Sequence, residues 1–204
     1  LIAAGNTAVA NPAQIWGQPE VKDDYKFYAN FGYDLDDKHE LYAFGNYAQR
    51  EVEGGFYFRN PTNRPGVYAG PTVDPVTGAP LAAASGGVPS VLVGDLSVDT
   101  AGDCPAGIPL TAGGGLLPNP TVLAAVTASA NCFSFVEIFP GGFTPRFGGK
   151  LEDMSVALGM RGEIPGVAGL NYDVSYRYGD NQSDFLINNT INASLGPNTP
   201  TSFN

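Results

Sequence analysis

Hydrophobic and polar residues alternate with period two in two stretches of the chain. In the second, Met154, Val156, Leu158, Met160 and Ile164 alternate with Asp153, Ser155, Ala157, Gly159, Arg161 and Glu163. A turn over Pro165-Gly166-Val167-Ala168-Gly169 follows, and then Leu170, Tyr172, Val174, Tyr176 and Tyr178 alternate with Asn171, Asp173, Ser175, Arg177 and Gly179. Period two predicts strands with one apolar and one polar face. Each run is about ten residues long, the length a tilted strand needs to cross a bilayer. The pattern predicts a transmembrane β-hairpin over about 151–187, with lipid on one side and a wet lumen on the other.

A second hairpin is predicted at about 25–50. Tyr25, Phe27, Ala29, Phe31 and Tyr33 share one face, and a polar turn spans Leu35 to His39. With the turn centred there, Tyr33 faces Leu41, Phe31 faces Ala43, Ala29 faces Gly45 and Phe27 faces Tyr47. On the other face Asn30 meets Phe44, Tyr28 meets Asn46 and Asp24 meets Arg50. A one-residue slip would set polar against apolar, so the register is self-consistent. Symmetry of the later turn sets Ile164 against Leu170, Met160 against Val174, Leu158 against Tyr176 and Val156 against Tyr178. It also sets Gly162 opposite Tyr172, and Arg161 opposite Asp173 as a lumen-facing charge pair. Tyr42 and Phe44 on the inner face suit a lumen filled by protein better than an open water channel.

The roughly hundred residues between the hairpins, 51–150, hold twelve of the seventeen prolines. A segment this long is expected to be functional or disordered. Within it, Asn119 suits an N-cap and Pro120 the first turn of a short helix running through Val122 to Ala130. Phe133 to Phe139 alternates as a short strand. Residues 1–23 read as loop.

Composition agrees with an all-β, loop-rich chain: Gly 27 and Pro 17 among 204 residues, with 15% charged. A net charge of −10 argues against nucleic acid. No run of eighteen apolar residues predicts a transmembrane helix, which says nothing against barrel strands. Cys104 and Cys132 predict one disulfide and an oxidising compartment. The tight turns lie at one end of the predicted strands and the long connections at the other, which assigns 1–23, 51–150 and 188–204 to the extracellular side.

Three segments carry a resemblance: DDYKFYANFGYDLDDKHELYAFGNYAQREVEGGFYFRNP at 23–61, GGFTPRFGGKLEDMSVALGMRGEIPG at 141–166, and LNYDVSYRYGDNQSDFLINNTINASLGPNTPTSFN at 170–204. Together they cover about half of the chain and resemble the barrel wall of TonB-dependent outer-membrane receptors of Gram-negative bacteria. The resemblance implies a 22-stranded barrel closed by a plug domain, surrounding membrane lipid, and uptake of a scarce ligand powered by an inner-membrane complex acting on the plug. The ligand would be a small molecule, a sugar oligomer or a peptide. The chain reads as an excerpt of a single barrel domain, 1–204, with 51–150 as a long loop insertion and the plug outside it. A passive porin, or a secreted β-sandwich or adhesin module, are the alternatives.

No catalytic set is evident, since the single histidine, His39, sits in a polar turn; no enzymatic activity is expected. Phe56, Tyr57, Phe58 and Arg59 form the richest local cluster. They suit either gripping a sugar or an anionic chelate, or an aromatic girdle at the membrane interface. Asp95, Asp99 and Asp103 recur every four residues and are the one candidate for calcium, although they lack the alternate-residue ligands and terminal Glu of an EF-hand loop.

Overall fold

A computed structural model describes residues 19–97 and 102–204. The elements in chain order are strands β1 (Glu20–Asp36), β2 (His39–Gly55), β3 (Ser90–Leu92), β4 (Gly94–Asp95), β5 (Gly107–Ala112) and β6 (Leu117–Pro118). Helix α1 (Pro120–Ala128), β7 (Cys132–Phe133), β8 (Arg146–Glu163), β9 (Asn171–Asn188) and β10 (Ser202–Phe203) follow. The protein is mostly β and antiparallel, in two compact units.

One unit is the sheet formed by residues 18–54 and 147–186. Its strand order is β1-β2-β8-β9, with β10 pairing the end of β9 through Ser202↔Asn188 and Phe203↔Ile187. Both hairpins form. In the first, Tyr33↔Leu41, Phe31↔Ala43, Ala29↔Gly45, Phe27↔Tyr47, Asn30↔Phe44, Tyr28↔Asn46 and Asp24↔Arg50 are all partners, as the turn symmetry predicts. The reversal is tighter than the expected five residues. Asp36 pairs with His39 across a register shift, and its Oδ1 accepts from the Lys38 amide at 2.8 Å. The second turn closes with the Ile164 amide donating to the Leu170 carbonyl at 2.9 Å.

The strands are much longer than the alternation predicts: 17 residues in β1 and β2, 18 in β8 and β9. Residues 20–23, expected as loop, begin β1. The added length has a different chemistry. Beyond Tyr25, Tyr47, Met154 and Tyr178, the positions that continue the apolar face are Asp23, Gln49, Glu51, Lys150, Glu152 and Asp180. Lys22 sits in a bulge of β1, where its Nζ lies 3.0 Å from Glu53 and 3.5 Å from Glu51. Alternation fades there because the continuing face turns polar, while the remaining apolar residues, such as Val52, Leu151 and the stacked Phe147 and Phe185, no longer recur at every second position.

The sheet has almost no core. On the apolar face Phe27, Phe31, Val174 and Tyr176 are each at least 60% exposed, and Leu158 is 53% exposed. No closed barrel forms among the described residues: β1 has one neighbour, and β9 meets β10 only at its end.

The other unit comprises residues 55–146 and 187–203. The insertion expected over 51–150 is therefore a compact body rather than an open loop. Prolines lack an amide donor, which keeps its strands to six residues or fewer. Single bridges such as Ala69↔Val91 and Val73↔Val88 supply the remaining pairing. Tyr68, Val91, Ile108, Val126, Phe135 and Phe143 lie in its core, and the Tyr68 hydroxyl donates to the Phe139 carbonyl at 2.9 Å.

Helix α1 forms as predicted. The Asn119 side chain accepts from the amides of Thr121 and Val122, and Val122 and Val126 are buried. Cys104 and Cys132 are joined in a disulfide. The strand expected over Phe133–Phe139 is corrected: only Cys132–Phe133 is strand, and Phe135–Glu137 is a single 3-10 turn. Ser134 and Glu137 form a reciprocal capping box that satisfies the turn's orphan amides locally. Those hydrogen bonds outweigh the alternation.

Candidate functional site

Two side-chain clusters stand out, one in each unit. On the polar face of the sheet, Arg161 of β8 bonds Glu40 of β2, with Nη2 at 2.7 Å and Nε at 2.8 Å. The Arg161 guanidinium also lies 5.7 Å from the Tyr42 ring centroid. Tyr42 stacks on Phe44 with ring centroids 6.5 Å apart. Its hydroxyl donates to Asp173 of β9 at 2.6 Å, reaching over β8 at Gly159. A Cβ at Gly159 would collide with the Tyr42 ring, so glycine is what allows the crossing.

Arg161 and Asp173, the expected pair, line one cleft with the Asp173 charge acting on the guanidinium, and each has a further partner. Arg161 takes Glu40, and Asp173 takes the Tyr42 hydroxyl. Predicting this required knowing that β2 and β8 are neighbours, although 121 residues separate Glu40 from Arg161. These groups line an open cleft of about 460 Å³ together with Asn30 and Arg177.

Further along the same face, Asn46 donates to Asp153 at 2.9 Å and Asn181 donates to Asp153 at 3.3 Å. At the tight turn, Lys38 lies 2.8 Å from Glu163, whose hydrogen bond and charge raise the ammonium's pKa. His39 Nδ1 faces Asp36 and its Nε2 faces the Glu163 carbonyl, which holds it as part of the turn.

The second cluster follows Gly55, where β2 ends. Of the four sequence-predicted residues, Phe56 and Tyr57 are exposed, while Phe58 and Arg59 are half-buried. The Phe58 ring points toward Gly142. Arg59 exchanges backbone hydrogen bonds with Phe143: its amide donates at 2.6 Å and its carbonyl accepts at 3.2 Å. Gly142 has φ +74° and no room for a Cβ, being packed against the Arg59 carbonyl and Pro61. The guanidinium of Arg59 lies 5.7 Å from the Tyr57 ring centroid. Burial, and then the charge of Arg64, lower the pKa of Arg59. Arg64, exposed five residues further on, had no local signal in the sequence.

Of the calcium candidates, Asp95 and Asp103 fall within the described residues. Asp95 accepts from the Ser97 amide at 2.9 Å, and its hydrogen bonds with Ser97 hold its carboxyl below the usual range. Asp103 accepts from Asn131 Nδ2 at 3.5 Å, and Asp99 lies outside the described residues. Among the described residues no group of three His, Cys, Asp or Glu is placed to hold a metal ion. No helix among them is long and apolar enough to cross a membrane. Compared with models of known protein families the chain matches none, and no curated protein matches it.

Proposed function

We propose that the chain is part of an outer-membrane β-barrel receptor of a Gram-negative bacterium, taking up a scarce ligand by TonB-dependent active transport. The observation that carries this reading is the apolar band on one face of the sheet. From Ile164, the residue after the end of β8, to Met154 the band covers ten residue steps. That is about 33 Å of strand at ~3.3 Å per residue. At a tilt of ~45° it becomes about 23 Å of height, close to the ~25 Å apolar belt of outer-membrane barrels.

The remaining features support the same reading. Tyr25 and Tyr47, with rings 6.1 Å apart, and Tyr178 stand at one border of the band, where an interfacial girdle belongs. The opposite face is a hydrogen-bonded polar network, suited to a wet or plugged lumen. Among the described residues β1 and most of β9 each lack a second neighbour, and further strands closing the sheet would satisfy those edges. On this reading the disulfide-bonded unit is extracellular. Lipid surrounds the band, and a plug and an inner-membrane energising complex are the partners. No covalent chemistry is involved.

The test is uptake with and without energy. Cells carrying the protein are assayed for accumulation of labelled iron chelates, cobalamin, oligosaccharides and peptides, before and after collapse of the proton-motive force. The receptor reading expects accumulation of one class, lost on collapse. Rapid swelling of proteoliposomes in arabinose without any energised partner would establish a passive porin instead. Recovery of the chain as a detergent-free soluble monomer would remove the barrel altogether.

A further inference from the structure

The cleft of about 460 Å³ on the polar face of the sheet holds two unpartnered side chains among satisfied ones. Arg161 bonds Glu40, and the Tyr42 hydroxyl donates to Asp173. Arg50, further along the face, bonds Asp24. Arg177 lines the cleft, yet among the described residues it has no hydrogen bond, ion pair or ring contact. The Asn30 side chain, on the far side of the cleft, has no hydrogen bond among them either.

Strand register brings these two groups into one row. Asn30 pairs with Phe44. Arg161 bonds Glu40 and Ser155 bonds Asn46, which sets Phe44 beside Ala157. Asn181 bonds Asp153 and the Ile164 amide bonds the Leu170 carbonyl, which sets Arg177 opposite Ala157. The row is therefore Asn30, Phe44, Ala157 and Arg177, one residue from each of β1, β2, β8 and β9. Three strand spacings separate the backbones at its ends by about 14 Å.

Arg177 leans into this row. Ala157 is 2% exposed. An alanine on the open face of a sheet is covered to that degree only by larger neighbours lying over it, and its cross-strand neighbours are Phe44 and Arg177. The cleft that Arg177 lines also extends over β2 to Asn30 of β1, so the guanidinium faces the middle of the sheet rather than the open edge of β9. The acids of this face flanking its row, Asp173 and Asp153, each stand four residue positions away along their strands, about 13 Å. Both already accept hydrogen bonds, from Tyr42 and from Asn46.

We propose that this row is a binding site for an aromatic carboxylate. The carboxylate pairs with the Arg177 guanidinium through two parallel N–H···O bonds. The ring lies against Phe44 and Tyr42, whose own rings are within 8° of parallel with centroids 6.5 Å apart. Asn30 meets a polar substituent at the other end of the ring. A lone arginine takes any anion and a ring pair takes any flat apolar body; their place in one cleft selects a molecule that carries both. The site stands on the cleft alone. That the acid is cargo rests on the receptor reading.

The full chain in detergent micelles is titrated calorimetrically with para-hydroxybenzoate, para-hydroxybenzamide and acetate, against micelles alone. The variants are Arg177→Gln, Phe44→Leu, and Lys26→Gln as a control on the same face. Thermal melting verifies folding. Arg177 has no partner to lose among the described residues, so Arg177→Gln keeps the test valid if Phe44→Leu disturbs packing. Para-hydroxybenzoate is expected to bind the wild type and to bind Lys26→Gln equally. It is expected to bind Arg177→Gln about tenfold more weakly, the factor for one charge-assisted contact, and Phe44→Leu about fivefold more weakly, the factor for one ring contact. The amide, which lacks the charge, and acetate, which lacks the ring, are expected to bind the wild type more weakly than the acid. Absence of binding to the wild type, or equal binding by wild type and Arg177→Gln, overturns the site. Amide or acetate binding as tightly as the acid overturns its assignment to an aromatic carboxylate. Failure of the receptor reading would show separately, as a chain that needs no detergent yet still binds the acid.

Discussion

The Tyr42 hydroxyl donates to Asp173 at 2.6 Å across an intervening strand, and the missing side chain of Gly159 opens its path. Three strands are thereby tied at one level on the polar face. Gly159→Val should displace the Tyr42 ring and break this bond while leaving the backbone ladder intact. The expected loss is about 1 kcal/mol, typical of one hydrogen bond. Tyr42→Phe should cost a similar amount alone and nothing further in the Gly159→Val background. Thermal unfolding of the four forms in detergent checks this as a double-mutant cycle.

The disulfide closes a loop with a sequence separation of 28 residues. In the chain-entropy model that stabilises the folded state by ~3–4 kcal/mol. Cys104→Ser with Cys132→Ser should lower the unfolding midpoint of the loop unit, and a reductant should reproduce the loss in the wild type but not in the variant. Calorimetry under both conditions makes the comparison.

Asn119 satisfies two orphan amides at the start of α1, at 3.0 Å and 3.4 Å. Asn119→Ala should destabilise the same unit by about 1 kcal/mol, and Asn119→Ser by little. Denaturant unfolding followed by the near-ultraviolet signal is the measurement.

Asp74 accepts from two amides and the Thr77 hydroxyl, which depress its pKa below the ordinary 3.8. A depressed folded-state pKa contributes stability that is present above the unfolded value and is lost as pH falls through the folded one. Asp74→Ala should therefore lower the unfolding midpoint at pH 7. The gap to wild type should narrow as pH falls below the ordinary carboxylate value. Melting curves of both forms from neutral to strongly acidic pH test the sign.

The register of the first hairpin was legible in the sequence because a one-residue slip would have set Tyr33 against Glu40 and Phe27 against Asn46. The helix at Asn119-Pro120 was legible because cap and first turn are adjacent in the chain. Strand ends were not: past Tyr25 and Tyr47 the apolar face continues with Asp23, Gln49 and Glu51, so the alternation carries no signal there. Phe133 to Phe139 shows the opposite failure, where a true alternation gave way to the Ser134–Glu137 capping box. The clusters were half legible. Tyr57 and Arg59 are neighbours in sequence, whereas Glu40 enters through a strand order that no local pattern encodes.

The central claim is that lipid covers the sheet's apolar face only between the tight turns and the level of Tyr47 and Met154. Single cysteines at Leu158, within the band, and at Glu152, just past it on the same strand face, carry a nitroxide label in the outer-membrane-embedded protein. Collision rates with oxygen and with a water-soluble nickel chelate are then compared. The account predicts oxygen-dominated collisions at 158 and chelate-dominated collisions at 152. Chelate access at 158 equal to that at 152 would contradict it.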